Sequence, residues 1–343
     1  LDFVVSSGAI PLARQVARHL DAAFYILDEA SDTGRVVIIH DDGTRDILDF
    51  AAYRGPDIEA DLRARDFTFN ALALDLTTLS LLDPLRGVSD LREKRIRACS
   101  SQSFTQDPVR ILRAVRQAAA LGFNIQPETR QMMKAAVSLL DQVSSERKRD
   151  ELFKILEGPR PATALKALDI LGVLPYLLPE LPALKGVTQS PPHVHDVWAH
   201  TMRVLDYLEG ILSVLAPGYS AENTNDLLTG LLTLRLGRYR QQFAAHFAEP
   251  LNANRSPRAL LFLAALYHDI AKPLTRTVEP GGRIRFLGHD ERGAEMAAGR
   301  ARALTLSNDE VARLQTIIRH HMRLHAFSDR LLEDKAEPSR KAI

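Results

Sequence analysis

Histidine and aspartate side chains that could bind a metal ion are concentrated in the second half of the chain. Nine of the 11 histidines fall between residues 193 and 325. The candidates include His200, the adjacent pair His268 and Asp269, then His289, His320 and His321. Imidazole nitrogen and carboxylate oxygen together suit a divalent transition metal such as Mn²⁺ or Ni²⁺. Such an ion lowers the pKa of bound water and can direct it at a phosphate ester.

Two carboxylates in the first fifty residues form a second candidate metal site. Asp2 begins a short apolar run, and Asp49 lies in a strand pattern at 46–50. Carboxylates on neighbouring strands can hold Mg²⁺ between them, because this ion prefers hard oxygen ligands and substrate phosphates. An acidic residue at a strand end is more often simply solvated, so the pair needs further support.

The elements that would position these carboxylates alternate between strand and helix patterns. Runs rich in β-branched and aromatic residues predict strands at 3–5, 23–27, 35–40 and 46–50. The Asp41-Asp42-Gly43 run predicts a hairpin turn between two of them. Helical spacing is present at 12–20 and is also predicted at 67–76. We therefore expect an α+β head with a small mixed sheet over residues 1–98.

The rest of the chain has helical periodicity. Helices are predicted at about 107–121, 128–141, 145–157, 162–172, 195–215, 226–249, 256–271, 290–304 and 308–321. A turn or short hairpin is expected at 276–287, around Gly281-Gly282. The proline-rich joint at 190–193 then separates a helical neck and body, residues 99–189, from an all-α region, residues 190–343.

Composition limits the classes of protein that remain. The 343 residues are 45% hydrophobic and 25% charged, which is typical of a globular chain and excludes disorder as the main state. No apolar run approaches the roughly 18 residues of a membrane span, so no membrane partner is expected. The single Cys99 excludes an internal disulfide and a multi-cysteine zinc site, and it fits a reducing, cytoplasmic compartment.

Charge is distributed unevenly along the sequence. The net charge is +1, but the first 98 residues carry an acidic excess and the remainder a basic one. This suits a cation site beside a polyanion-binding surface, although such offsets are also common on solvated surfaces. The chain begins at Leu1 and ends at Ile343 inside strand and helix patterns, so we interpret it as part of a longer protein.

Three runs in the first third share their order and spacing with a known family. They read Arg63-Ala-Arg-Asp-Phe-Thr-Phe-Asn-Ala71, Asp83-Pro-Leu-Arg-Gly-Val-Ser-Asp-Leu91 and Gln106-Asp-Pro-Val-Arg-Ile-Leu-Arg-Ala-Val-Arg116. They resemble the head motifs of the class II tRNA nucleotidyltransferase (CCA-adding) and bacterial poly(A) polymerase family. Glu146-Arg147 and Leu178-Pro-Glu-Leu181 resemble the helical body of that family.

The resemblance implies two-metal nucleotidyl transfer to an RNA 3′ end. Asp2 matches the second member of the family's Asp-x-Asp pair, and Asp49 matches a third acidic position, so both are implied catalytic residues. Asp2 is also the implied Mg²⁺ ligand. The first aspartate and a glycine-rich phosphate loop would precede Leu1, so the chain as given is expected to lack competent metal binding in the head.

The resemblance also assigns nucleotide contacts. Arg65, Asp66 and Asn70 would read the ribose 2′-hydroxyl, although Ala64 replaces the first arginine of the usual pair. The run 83–90 resembles a hinge that reshapes the base pocket. The alternative for Arg65 and Asp66 is a surface ion pair worth under about 1 kcal/mol.

A base reader is implied in the third run. Asp107 and Arg110, expected on one helix face, would imitate a Watson–Crick edge for CTP and ATP. Arg113 and Arg116 follow on the same expected helix face and would hold the triphosphate. Gln106 replaces a glutamate of many members, and an ordinary amphipathic helix is the alternative.

The second half of the chain resembles the HD metal-dependent phosphohydrolase superfamily. The resemblance implies metal ligation by His200, His268 and Asp269, with a second metal or the phosphate held by His289 and by His320 or His321. The usual final aspartate would lie beyond Ile343, and Asp329 is a poorer candidate. A helical body whose histidines are satisfied by hydrogen bonds is the alternative.

These observations predict a truncated α+β nucleotidyltransferase-type head, a mainly α-helical body and an all-α HD domain. The leading function is addition of CMP and AMP to tRNA 3′ ends from CTP and ATP, with Mg²⁺ in the head. Backbone phosphates of tRNA or another RNA 3′ end would meet Arg147, Lys148 and Arg149. Poly(A) synthesis, or an HD phosphohydrolase with a non-catalytic RNA-binding head, stays open, and the oligomeric state is unknown.

Overall fold

The computed structural model describes residues 1–219, 227–252 and 255–323. The chain divides into two compact units. The first contains residues 1–107 and 124–129, and the second contains 108–123 and the chain from Arg130 onward. No helix among the described residues is long and apolar enough to cross a membrane.

A four-stranded mixed sheet forms the first unit's core. In spatial order its strands are Asp2–Val5, Arg45–Ala52, Thr33–Ile39 and Ala23–Asp28. The first two run parallel, and the remaining pairs are antiparallel. This confirms the strands and the hairpin turn predicted from the sequence.

Helix Ala9–His19 packs against this sheet through alanines. Asp32 holds the start of the helix, because its carboxylate accepts hydrogen bonds from the backbone N–H groups of Ala9 and Ile10 at 2.8 and 2.9 Å. The backbones approach closely: a Cβ on Gly34 would lie 3.2 Å from Cβ of Ala13. Small residues therefore set the spacing between helix and sheet.

The helix predicted at 67–76 is wrong. Only a 3₁₀ turn, Thr68–Asn70, forms there, and strand Ala73–Leu74 pairs with Leu81–Leu82. Phe67 and Phe69 are both buried, although residues two apart do not share a helix face. The first unit is completed by helices Ile58–Ala64, Gly87–Arg92 and Ser103–Gln106, and by paired strands Arg95–Ile96 and Asn124–Ile125.

The second unit is helical. Its helices are Arg110–Leu121, Pro127–Ala136 (which begins in the first unit), Ser145–Glu157, Pro161–Ile170, Leu174–Leu177, Val197–Val214, Leu227–Leu236, Arg240–Ala248, Pro257–Tyr267, Lys272–Thr275, His289–Ala303 and Asn308–His320. Short 3₁₀ segments occupy Val137–Gln142, Leu181–Leu184 and Gly237–Tyr239, the last dividing the helix predicted at 226–249. The expected hairpin forms between Arg276–Val278 and Ile284–Phe286.

Asp107 and Arg110 do not share a helix, contrary to the prediction. Asp107 follows the short helix Ser103–Gln106 and has extended backbone, with φ −145° and ψ 93°. The next helix begins at Arg110. Pro108 explains the break, because a proline disfavours helical backbone in the residue before it.

Candidate metal centre and nucleotide-binding residues

Four histidines and one aspartate of the second unit converge in a histidine cluster. Its members are His200 in helix Val197–Val214, His268 and Asp269 after helix Pro257–Tyr267, His289 at the start of helix His289–Ala303, and His321 after helix Asn308–His320. Local capping fixes the first of these helices, because the Asp196 carboxylate accepts a hydrogen bond from the Ala199 N–H at 2.7 Å.

Asp269 lies at the centre of the histidine cluster. Its Oδ2 atom is 3.1 Å from Nε2 of His268 and 3.6 Å from Nε2 of His200. Its Oδ1 atom is 3.4 Å from Nε2 of His289 and 3.8 Å from Nε2 of His321. Each oxygen therefore faces two imidazoles, and the cluster contains two three-residue ligand sets that share Asp269.

Backbone carbonyls orient three of the rings. Nδ1 of His268, His289 and His321 lies 2.7, 2.7 and 2.6 Å from the carbonyl oxygen three residues earlier in each case. A carbonyl only accepts, so Nδ1 donates and, in the neutral ring, Nε2 keeps its lone pair. This arrangement orients metal-binding histidines in proteins, and here it points Nε2 towards Asp269.

The donor set fits a divalent metal. Nε2 of His289 and Nε2 of His321 are 3.2 Å apart, and two lone pairs at that distance repel unless a cation or proton lies between them. Oδ2 of Asp269 is buried without a well-formed hydrogen bond, although Nζ of Lys272 is 2.8 Å away. An ion would be held by either three-residue ligand set, with Asp269 common to both.

Burial and charge set the protonation states of the cluster. Burial lowers the pKa of His200 to about 4 and also lowers the pKa of His321. Burial opposes ionisation of Asp269, but His268 and Lys272 outweigh it and hold that pKa well below its usual range. Burial likewise lowers the pKa of His268, but the adjacent carboxylate outweighs it and raises that pKa. His200 and His321 are therefore neutral near pH 7, as metal ligation requires.

Lys272 is a member of this environment that sequence reasoning missed. The side chain is 7% exposed, and Nζ donates to Oε1 of Gln189 at 2.7 Å. Asp269 lies in the turn after one helix and Lys272 begins the next, so no helical period linked the two residues in the sequence. His320 differs from the other predicted histidine ligands, because it is exposed and lies outside the ligand sets formed by the described residues. Asp329 lies outside the described residues.

The two head carboxylates lie side by side. Asp2 and Asp49 are register partners on parallel strands. Both oxygens of Asp49 accept hydrogen bonds from Arg35, at 2.7 and 2.8 Å, and this contact lowers the pKa of Asp49. Arg35, which the sequence did not single out, therefore competes with any cation for Asp49, while Asp2 is exposed.

The residues implied in ribose recognition are partly engaged within the protein. Nε of Arg65 donates to the buried Asp61 at 3.2 Å. Asp66 is 8% exposed, and its Oδ1 accepts from the Phe67 N–H at 2.9 Å. Asn70 ends the 3₁₀ turn Thr68–Asn70. Arg65 is thus part of a half-buried ion pair, not a solvated surface pair.

The arginines implied in triphosphate binding lie beside a buried glutamate. Nε of Arg116 is 2.7 Å from Oε2 of Glu151, and Nη1 of Arg113 is 3.8 Å from Oε1. Lys154 contacts the same carboxylate at 3.1 Å. Glu151 is 5% exposed, so these cations also satisfy a buried charge, as a structural role would require.

The predicted RNA contacts lie within the first five residues of helix Ser145–Glu157. Arg147 is exposed and Lys148 half-buried. Arg149 donates to the carbonyl and hydroxyl oxygens of Thr305, at 3.0 and 2.6 Å. Arg149 therefore joins two helical segments of the second unit, and Arg147 is the more accessible cation.

Three family models match successive parts of the chain. They are the poly(A) polymerase head domain at residues 18–97, the probable RNA and SrmB-binding site of polymerase A at 122–184, and the HD domain at 197–342. The match order agrees with the order of regions predicted from the sequence.

Curated relatives carry related names. The chain is 32% identical to a CC-adding tRNA nucleotidyltransferase of Thermus thermophilus over 330 residues, 94% of this chain and 63% of that protein. It is 42% identical to a Geobacter sulfurreducens protein of the same name over 173 residues, 50% of this chain and 40% of that protein. It is 33% identical to an A-adding tRNA nucleotidyltransferase of Deinococcus radiodurans over 275 residues, 78% of this chain and 53% of that protein. The chain thus spans less than two thirds of these relatives.

Solved structures share the fold at low identity. A tRNA nucleotidyltransferase complexed with a primer tRNA and an incoming ATP analogue superposes with a TM-score of 0.61 at 22% identity, over 98% of this chain and 78% of the other. The chain is therefore similar in sequence to the tRNA nucleotidyltransferase and poly(A) polymerase family, shares the fold of a solved tRNA nucleotidyltransferase, and matches the HD domain model behind its head.

Proposed function

We propose that the protein adds nucleotides to the 3′ end of tRNA without a template, using CTP and ATP and Mg²⁺ in the head. The register of Asp2 and Asp49 on parallel strands is the observation that supports this. Carboxylates at paired register positions on neighbouring strands are suited to contact one Mg²⁺ together. The relatives named for CC or A addition favour tRNA over poly(A) synthesis.

The remaining nucleotide contacts follow the family motif. In this proposal the ribose is read by Arg65, Asp66 and Asn70, the base by Asp107 and Arg110, and the triphosphate by Arg113 and Arg116. Arg147 contacts RNA phosphates, with Lys148 and Arg149 beside it. The domain limits 1–98, 99–189 and 190–343 and a cytoplasmic location belong to the same proposal.

Incorporation of radiolabelled CTP and ATP into tRNA lacking its 3′ end tests the proposal with the full-length protein. Asp49→Asn should abolish incorporation, because a neutral amide is a weak Mg²⁺ ligand. Asp46→Asn is the matched control, since Asp46 is an exposed aspartate of the same strand. Equal activity of the two variants would reject the assignment.

A second function is favoured by the histidine cluster: hydrolysis of phosphate esters, with the head serving as an RNA-binding module. A divalent metal such as Mn²⁺ or Ni²⁺, when bound, supplies activated water near neutral pH. The chain's own contribution is to orient the Nε2 atoms, keep Asp269 ionised and exclude solvent from it. Phosphomonoesters and 2′,3′-cyclic phosphates at RNA 3′ ends are the proposed substrates.

Metal content and phosphatase activity of the full-length protein test this second function. Mn²⁺-dependent hydrolysis that is lost in His268→Gln would support it. Protein that binds neither Mn²⁺ nor Ni²⁺ and hydrolyses no phosphate ester would leave the cluster as a hydrogen-bonded part of the helical body.

A further inference from the structure

A pocket of about 290 Å³ lies beside the histidine cluster in the second unit. We call it the Arg203 pocket. Its walls include Pro192, Val194, His195, Arg203, Val204 and Tyr207. His200 lines this pocket and also belongs to the histidine cluster. The volume is at the lower end for small-molecule sites, which suits a single nucleoside more than a longer segment.

Arg203 is held in a defined position by neutral groups. Its Nη1 atom donates to Nε2 of His195 at 2.8 Å, and Nη2 donates to the Tyr207 hydroxyl at 2.9 Å. The guanidinium also lies 5.7 Å from the centre of the Tyr207 ring. Two bonds and a ring contact fix the guanidinium, so less side-chain entropy is lost when a ligand binds.

The charge of Arg203 is not neutralised within the part of the chain that the structure describes. No carboxylate there forms an ion pair with it, and Asp206 on the same helix instead binds Lys166 through both oxygens at 2.8 Å. A fixed guanidinium with neutral partners is suited to bind phosphate, because its planar fork matches two phosphate oxygens.

The spacing along helix Val197–Val214 connects the pocket to the cluster. His200, Arg203 and Tyr207 follow each other at three and four residues and therefore lie on one helix face. Three residues correspond to about 4.5 Å along a helix axis. An anionic group on Arg203 would consequently lie about one helical turn from a group held at His200.

We propose that the Arg203 pocket binds the 5′-phosphate side of a nucleotide whose 3′- or 2′-phosphate lies at the histidine cluster. The substrate class is then a nucleoside with phosphate on both sides of one ribose, as at a phosphorylated RNA 3′ end. Pro192, Val194 and Val204 provide apolar walls for the sugar and base. This inference rests on the proposed hydrolytic function of the cluster and identifies the substrate it selects.

Binding of adenosine 3′,5′-bisphosphate and adenosine 3′-monophosphate, measured by calorimetry with a chelator present, tests the pocket without hydrolysis. The wild-type chain should prefer the bisphosphate about tenfold to a hundredfold, the range of a charge-assisted hydrogen-bonded contact. Arg203→Gln should remove this preference and leave monophosphate binding unchanged. Arg203→Lys should retain part of it, because the charge remains but the fork is lost.

Arg313→Gln is the matched control. It removes an exposed arginine that pairs with Asp309 at 2.7 Å on helix Asn308–His320, and it should keep the wild-type preference. Arg203 is itself exposed, so the Arg203→Gln chain should unfold at the wild-type temperature. Tyr207→Phe, which removes only the hydroxyl, should reduce the preference and keep part of it.

Equal binding of the two nucleotides by the wild type would overturn the inference. A parallel loss of both affinities in Arg203→Gln would also overturn it, even if Mn²⁺-dependent hydrolysis is observed. If the preference depends on Arg203 but neither compound is hydrolysed with Mn²⁺, the pocket assignment stands and the proposed hydrolytic function fails. The two hypotheses are therefore separated by the same set of variants.

Discussion

The two candidate metal sites of this chain differ in how much of their chemistry the surrounding fold prepares. In the head, Asp2 is exposed and Asp49 is paired with Arg35. In the histidine cluster, Asp269 is 2% exposed and faces imidazole nitrogen atoms on both oxygens. Both sites rest on carboxylates, but only Asp269 is desolvated and surrounded by further ligands.

The difference shows what burial adds to a carboxylate. An exposed carboxylate interacts with a cation through water, where charge interactions are weak. Around Asp269 the dielectric is lower and three histidine rings are already oriented by backbone carbonyls. The cluster is thus pre-organised for a metal. In the head, by contrast, Asp49 must lose its hydrogen bonds to Arg35 before it can bind a metal together with Asp2.

The largest expected effect comes from Asp269→Asn. This change removes the charge shared by both ligand sets, so affinity for Mn²⁺ or Ni²⁺ should fall on the order of a thousandfold, more than the 10–100-fold typical of outer-shell changes. Calorimetry with each metal measures it, and Asp309→Asn, an exposed aspartate in the same region, is the control. Unchanged affinity would place any bound metal elsewhere.

The second-largest expected effect is on the stability of helix Asn308–His320, which precedes His321. Glu310 in that helix is fully buried and accepts hydrogen bonds from Arg255, one of them at 2.9 Å. Glu310→Gln leaves the 12% exposed Arg255 without its anionic partner, so the free energy of unfolding should fall by about 3 kcal/mol. Urea unfolding at pH 7 measures this, and a change below about 0.5 kcal/mol would contradict it.

The same pair predicts a pH dependence. Burial opposes ionisation of Glu310, but Arg255 outweighs it and lowers the pKa of Glu310 below its ordinary value. The stabilisation is therefore present above the unfolded-state pKa, about 4.3, and is lost as pH falls through the folded-state pKa. Glu310→Gln should therefore reduce the loss of stability on acidification. If the loss is the same in Glu310→Gln and wild type, other carboxylates cause it.

A smaller effect is expected in the head, on the pKa of Asp49 and on Mg²⁺ binding. Arg35→Gln removes the cation that lowers the pKa of Asp49, so this pKa should rise towards its ordinary value. In the full-length protein the variant should also bind Mg²⁺ several-fold more tightly through Asp2 and Asp49, because Arg35 no longer competes for Asp49. Carbon-detected NMR titration of the carboxylates follows both effects, and an unmoved Asp49 signal would argue against the ion pair in solution.

The smallest effect is expected for RNA contacts. Arg147→Gln should weaken tRNA binding modestly and reduce the slope of log affinity against log salt by about 0.7 to 0.9, the value for one phosphate contact. Arg149→Gln should instead lower the stability of the second unit, because Arg149 is bonded to Thr305. Identical salt slopes for wild type and Arg147→Gln would make Arg147 a solvated surface residue.

Local pattern determined much of the fold. The helix predicted at 145–157 is observed at Ser145–Glu157, and the head strands and hairpins also appear where predicted. Hydrophobic periodicity, capping residues and turn residues act within a few positions of each other, which is why sequence alone reveals them. The errors at 67–76 and at Asp107 arose where side-chain burial or Pro108 outweighed an apparent helical pattern.

The composition of each site depended on tertiary structure. Sequence indicated that the histidines and Asp269 could bind a metal, because those residue types follow one another in a recognisable order. Packing of four helices decided that His321 joins the cluster while His320 faces solvent. Three further contacts likewise join residues on different elements or in loops, so no local periodicity of the sequence indicates them. They are Arg35 with Asp49, Lys272 with Asp269 and Arg203 with His195.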